Sequence, residues 1–175
     1  MTPGEMEHIL KSIFLIVDTR EQPTERYYKR LDSVGMLYRR QKLDFGDYSC
    51  GYCAADGSEV ILDREIVIER KMSIDEICGN FTKGRDRFAR EFERAQKSGA
   101  KVHLIIENGN YEKVIGGKYR SRLNANSLLA SVVAFADRYN ISVHFCKPET
   151  TPVLINKIFY HHVRNKLMKD IEFEV

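Results

Sequence analysis

The sequence predicts an α/β fold, a central mixed β-sheet with helices on both faces. Short β-branched apolar runs separated by turn signals fill the first half of the chain. Strand and helix patterns then alternate in β-α-β order. A hairpin signal near the middle argues against a purely parallel sheet. The 175 residues suit one domain spanning 1–175, whose core needs no staples. No repeat, low-complexity stretch or Pro/Gly/Ser-rich linker divides it.

Residues 13–17, Ile-Phe-Leu-Ile-Val, form an apolar run that predicts a buried strand. It stops at Asp18-Thr19-Arg20-Glu21, a polar tetrad at the place where a sheet edge can present functional side chains. Thr24 caps a helix running to about Ser33, and Gly35 stops it. Residues 36–43 read as a strand, and Gly46-Asp47-Tyr48 follows a turn. Residues 48–68 read as a hairpin turning at Asp56-Gly57, with its second arm leading into Glu69-Arg70-Lys71. Ser73 and Glu76 have the spacing of a capping box before a short helix. Over residues 84–97, Phe88, Phe92 and Ala95 share one face of a longer helix that ends at Gly99. A buried strand over 102–106, a helix over 125–139 and a strand over 141–145 follow. Pro152 suits the first turn of a last helix reaching about Met168.

A 43% hydrophobic and 30% charged composition describes an ordinary globular protein. No apolar run could cross a bilayer, and the N-terminus lacks a signal-peptide pattern. The expected location is therefore intracellular, cytoplasmic or nuclear, with no membrane partner. A net charge of +3 does not by itself imply nucleic acid. The basic residues between Lys83 and Lys101, and Lys118, Arg120 and Arg122, could contact phosphates or simply be solvated faces. Cys50 and Cys53 form a half-site for zinc with no second pair, so reduced thiols are the plainer reading.

Asp18, Asp47 and Glu69 all fall at strand ends, and Lys71 lies two residues beyond Glu69. Residues two apart on a strand share a face, so Glu69 and Lys71 project together. Arg70 points the other way, where a carboxylate would be its partner. Carboxylates hold Mg²⁺, which activates a bound water and neutralises charge on a phosphodiester. A neighbouring lysine can orient that water or stabilise developing charge. Asp…Glu-x-Lys alone also describes a salt-bridged strand end. Three charges arriving where an apolar strand leaves the core favour the chemical reading.

The combined motifs resemble the nuclease domain of XPF-type structure-specific endonucleases, whose hallmark is G-D-x(n)-E-R-K-x-x-x-D. Gly46-Asp47, Glu69-Arg70-Lys71 and Asp75 match it. Val17-Asp18-Thr19-Arg20-Glu21 matches the family's first-strand V-D-x-R-E. Gly84-Arg85 matches its G-R-F element more loosely, and 104–107 its L-I-I-E. The resemblance spans about 13–145 and implies a restriction-endonuclease-like fold that cuts branched or flapped DNA with Mg²⁺ or Mn²⁺ in repair, recombination or replication. It makes Asp47 and Glu69 metal ligands, with Asp18 completing the acidic cluster, and Lys71 the water-positioning group. Arg70 and Asp75 belong to the catalytic motif, Arg20 and Glu21 support it, and Arg85 is a candidate phosphate contact.

The hairpin between Asp47 and Glu69 is longer than the family pattern suggests. Many members carry a tandem helix-hairpin-helix domain after the nuclease domain, and no such glycine pattern occurs up to Val175. DNA targeting is then expected from the domain itself, a homodimer or a separate partner. Leu154, Ile155, Ile158, Phe159, Val163 and Leu167 form an apolar stripe that fits a dimer face or a core face. The resemblance, whose members dimerise through late helices, favours the dimer face and a homodimer. His161 and His162 are expected on the surface. Tyr27, Tyr28, Tyr48 and Tyr52 could stack on bases, though such residues more often cover the core. The rival functions are a non-catalytic DNA-binding or scaffold subunit and a junction-resolvase or restriction-type nuclease.

Overall fold

The structure, a computed structural model, describes residues 1–173. Glu174 and Val175, the end of the expected domain, lie outside the described residues. Strand β1 (Phe14–Val17) pairs in parallel with β2 (Tyr38–Arg40) and antiparallel with β3 (Tyr48–Cys53). The β3 strand turns through Asp56-Gly57 into β4 (Glu59–Ile61), as expected. The second arm expected to run on to Ile68 is instead broken by a turn in which Glu65 N and Ile66 N donate to Leu62 O, so β5 (Ile66–Lys71) meets β3 separately at Tyr48↔Ile68. Strands β6 (Lys101–Glu107) and β7 (Ile141–Cys146) continue the sheet in parallel from β5. Among the described residues this gives one seven-stranded mixed sheet, β2-β1-β3-β5-β6-β7, with β4 on β3.

Alternation along the strands divides the core into two layers. Leu15, Val17, Tyr48, Ile66 and Ile68 face helices α1 (Pro3–Lys11), α2 (Glu25–Val34) and α7 (Thr151–Phe173). Val67, Val102, Leu104 and Ile106 face α3 (Ile74–Phe81), α4 (Arg85–Ser98), α5 (Tyr111–Ile115) and α6 (Ala125–Arg138). Phe88 and Phe92 of α4 lie 4.6 Å apart, edge to face, and both pack on Phe135 of α6. These aromatic contacts fix where α4 crosses the sheet.

The expected stop signals hold: Thr24 caps α2, and Gly35 and Gly99 close α2 and α4 in left-handed conformations. The Ser73 side chain accepts from Glu76 N, but the Glu76 carboxylate reaches Met72 N rather than closing the capping box. The strand expected over 36–43 shrinks to three residues because the chain beyond Arg40 folds over the end of β1. Helix α1 was not anticipated, although Thr2 and Glu5 form a full capping box with Pro3 between them.

In the long α7 stripe, Ile155, Phe159, Val163 and Leu167 fill the chain's own core, and Leu154 and Ile158 pack against it. The stripe is therefore a core face and not the dimer face the resemblance favoured. His161 is exposed as expected, but His162 is half-buried, with its Nε2 enclosed and unpartnered. Tyr27, Tyr48 and Tyr52 are buried, so of the four tyrosines only Tyr28 is open to stacking. Cys50 and Cys53 stand three apart on β3, which turns their side chains to opposite faces. Gly51 between them leaves room for the Phe14 ring, which a Cβ there would meet at 2.5 Å. No helix among the described residues is long and apolar enough to cross a membrane.

Candidate active site

Main-chain bonds set the strand ends side by side. Asp18 N donates to Asp47 O (2.9 Å), and Asp47 N donates to Ile68 O (2.8 Å). Val17, Tyr48 and Ile68 all face the α7 layer, so Asp18, Asp47 and Glu69, each one residue away, face the α4 layer. Lys71 joins them there, its ammonium 2.5 Å from Glu69 Oε1 and 5.2 Å from the Phe88 ring centre. The predicted pairing of Glu69 with Lys71 and the reversed direction of Arg70 are both present.

Gly46 makes the turn into Asp47 possible. Its φ is +75°, and a Cβ there would sit 2.9 Å from Val67 Cβ and 3.3 Å from Ile68 O. Only glycine satisfies both constraints. Gly46→Ala is expected to cost roughly 2–4 kcal/mol, combining left-handed strain with overpacking. A chemical denaturation midpoint within error of the parent protein would refute this.

The three acids differ in what surrounds them. Asp18 is almost fully buried, which by itself raises its pKa. Its Oδ1 accepts from Arg20 N and Nε, and its Oδ2 from Arg20 Nη2 and Leu43 N. These bonds outweigh burial and hold the carboxyl below its usual range. All four of its acceptor directions are taken. Asp47 has a single strong donor, Arg70 N at 2.8 Å. Burial, then the charges of Glu21 and Glu91, push its pKa up to about 7 against the pull of Arg70 N and Lys71. Burial and then the Asp47 charge also raise Glu69 well above the carboxylate range, despite Lys71. For Lys71, burial opposes the charge, but the carboxylates led by Glu69 win and keep it an ammonium.

Asp47 and Glu69 therefore fit a hard divalent cation: they are neighbouring carboxylates, one half-buried and one buried, whose mutual repulsion a cation would relieve. Asp18 is committed to Arg20 and Leu43. Among the described residues no three His, Cys, Asp or Glu side chains are gathered closely enough to hold a metal ion by themselves.

The other motif residues are spread around this centre. Behind the sheet, Arg70 pairs bidentately with Glu107 at 3.0 and 3.1 Å, and the Thr151 hydroxyl donates to Glu107 Oε1 at 2.6 Å. Glu21 accepts from Tyr48 Oη and Arg30, which also donates to Tyr48 Oη. Asp75 turns away from the carboxylates and binds residues 120 and 121. Arg85 is exposed, 5.3 Å from the centre of the Phe135 ring. Sequence reasoning missed Glu91, whose Oε1 accepts from Gly46 N and whose charge acts on Asp47 and Glu69. It follows Phe88 by three positions on α4, the spacing that puts it near the core-facing edge. Glu107 stood in view at the end of its apolar strand but received no role.

A model of the ERCC4 domain matches residues 17–155, well over half of the chain. The fold is similar to that of XPF from Aeropyrum pernix, with a TM-score of 0.59 and 23% identity over 82% of this chain and 63% of that one. It is also similar to XPF from Aeropyrum pernix in complex with DNA, with a TM-score of 0.62 and 21% identity over 86% and 65% of the two chains. The chain thus spans slightly under two thirds of those structures. No curated protein matches it.

Proposed function

The chain belongs to the ERCC4-domain family, and from that premise we propose that it is a metal-dependent endonuclease acting on branched or flapped DNA. The observation that carries the proposal is the placing of Asp47 and Glu69 on adjacent strand ends with the Lys71 ammonium beside them. That one of the similar structures is a complex with DNA supports the choice of polymer. Mg²⁺ or Mn²⁺ held by Asp47 and Glu69 would activate water and neutralise phosphate charge. The Lys71 ammonium, aimed by Glu69, donates to a phosphoryl oxygen or to the attacking water. Arg20 braces Asp18 and donates to Leu43 O, while Leu43 N donates to Asp18, so both residues hold the loop leading to Gly46. Glu91 holds Gly46 N, and with it the approach to Asp47. The proposal includes action in repair, recombination or replication and a homodimeric active form.

The test is nicking of labelled 3′-flap, fork, four-way-junction and plain duplex DNA with Mg²⁺ or Mn²⁺, with light scattering on the same samples. The parent protein should cut flaps or forks and stop in EDTA. Asp47→Ala and Glu69→Ala should remain folded and lose at least about a hundredfold in rate. Binding without cutting under either metal would replace this reading with the scaffold subunit. Preferred cutting of junctions or of one duplex sequence would indicate a resolvase or restriction-type enzyme.

A further inference from the structure

Asp75 belongs to the motif by sequence, yet its carboxylate is spent on a loop. Its Oδ1 accepts from Arg120 N at 2.8 Å and Ser121 N at 2.7 Å, and its Oδ2 from Arg120 Nε at 3.3 Å. The loop over 116–124 joins α5 to α6 and leaves Lys118, Arg120 and Arg122 exposed. It is a built loop: Tyr119 Oη donates to Leu123 O, Leu123 N donates to Ser121 Oγ, and Tyr119 and Leu123 pack on the core. Asp75 also lines a groove of about 640 Å³ whose walls include Glu76, Lys83 and Arg87. Glu76 lies 3.8 Å from the Lys71 ammonium, so the wall of the groove adjoins the catalytic centre. Both acids in it are engaged, Asp75 by the loop and Glu76 by Met72 N and Lys71. Arg120 spends its Nε on Asp75 but stays exposed, and among the described residues Lys83, Arg87, Lys118 and Arg122 form no ion pair that would keep them from an outside anion.

We propose that this groove and the 116–124 loop form a track for the DNA phosphate backbone leading away from the cut, with Asp75 as the positioning residue that holds the loop against it. The inference rests on the nuclease reading and deepens it. Phosphates suit the track because spaced, exposed lysine and arginine side chains read backbone charge without reading sequence. Asp75 then acts on DNA grip rather than on the metal.

The test is binding of fluorescein-labelled fork DNA by anisotropy in EDTA across a salt series, so that cutting plays no part. Lys118→Ala/Arg120→Ala/Arg122→Ala should make the slope of log K against log salt shallower by about 2–3, near 0.9 for each lost contact. Asp75→Ala should make it shallower by about 1 or more. It should also speed hydrogen exchange at the Arg120 and Ser121 amides. Asp75→Asn keeps the oxygen that accepts both amides and should restore slope and protection. A triple variant that folds and binds with the parent slope overturns the proposal, as does an Asp75→Ala protein with a loosened loop and an unchanged slope. If Asp75→Asn is as impaired as Asp75→Ala, the positioning role also falls. Parent protein that binds no DNA would remove the nuclease reading itself, whereas binding indifferent to these variants removes only this track.

Discussion

Asp47→Asn and Glu69→Gln are expected to be inactive as nucleases and more stable than the parent protein above pH 7. Glu69 is buried and Asp47 half-buried beside it, the Asp47 charge raises Glu69, and Asp47 itself is pushed up to about 7 from the ordinary 3.8. The folded chain thus holds a proton that the unfolded chain has already released. Between about pH 4 and 7 folding takes up protons, so stability falls as pH rises, and the full cost remains above pH 7. Three pKa units correspond to a ceiling of about 4 kcal/mol. An amide at either position removes the repulsion while keeping an oxygen to accept from Arg70 N or from Lys71. A gain of about 2 kcal/mol, or roughly 4–8 °C in melting temperature at pH 8, is expected. The parent profile should slope down with pH, and the variant profiles should be flatter. Mg²⁺ or Mn²⁺ should raise the parent melting temperature at pH 8 and leave the variants nearly unmoved, because only the parent offers both carboxylates. Variants that melt below the parent, or that keep its pH slope, would show that Asp47 and Glu69 are not held against each other. A site that sacrifices stability for function shows this signature.

Much of this centre was legible because it depends on local regularities. An apolar strand ending in a charged residue places that residue at a sheet edge, and the period of two assigns it a face. The shared face of Glu69 and Lys71 and the opposite direction of Arg70 follow from these rules, as do the strand-end positions of Asp18 and Asp47, whereas the roles of the acids came from the motif resemblance. The mixed sheet followed from the Asp56-Gly57 turn and the later β-α-β order. What stayed hidden depends on contacts between distant segments. The reach of Glu91 to Gly46 requires α4 to cross the sheet at the angle set by Phe88, Phe92 and Phe135. Asp18 looks like a free acid in sequence, and only the path beyond Arg40 brings Leu43 N onto it. Asp75 reads as part of a catalytic motif, and its partners lie 45 and 46 residues downstream. Helix α1 was different: the capping signal of Thr2 and Glu5 was present in the sequence and passed over.

Glu107→Ala is expected to be among the most destabilising single changes, costing roughly 3–5 kcal/mol. Glu107 is 3% exposed and carries both bonds of the Arg70 guanidinium as well as the Thr151 hydroxyl. Its loss strands a guanidinium whose side chain is only 12% exposed, without a second carboxylate in reach of a direct bond among the described residues. The cost arises from the unpaired charge, not from the net strength of the pair, because desolvation offsets much of an enclosed ion pair's attraction. Two comparisons separate these origins. Thr151→Ala removes the bond to Glu107 and the weaker contact with Cys146 Sγ and should cost about 1–2 kcal/mol, since Arg70 keeps its partner. Arg70→Met/Glu107→Leu removes both charges and should regain most of what Glu107→Ala loses, provided the hydrophobic pair fills the space. Urea denaturation of the four proteins measures all of this. If the double variant is as unstable as Glu107→Ala, the pair contributes through geometry that hydrophobic packing cannot replace. If Glu107→Ala falls within about 1 kcal/mol of the parent, water reaches Arg70 and the pocket behind β5 is not sealed by α7.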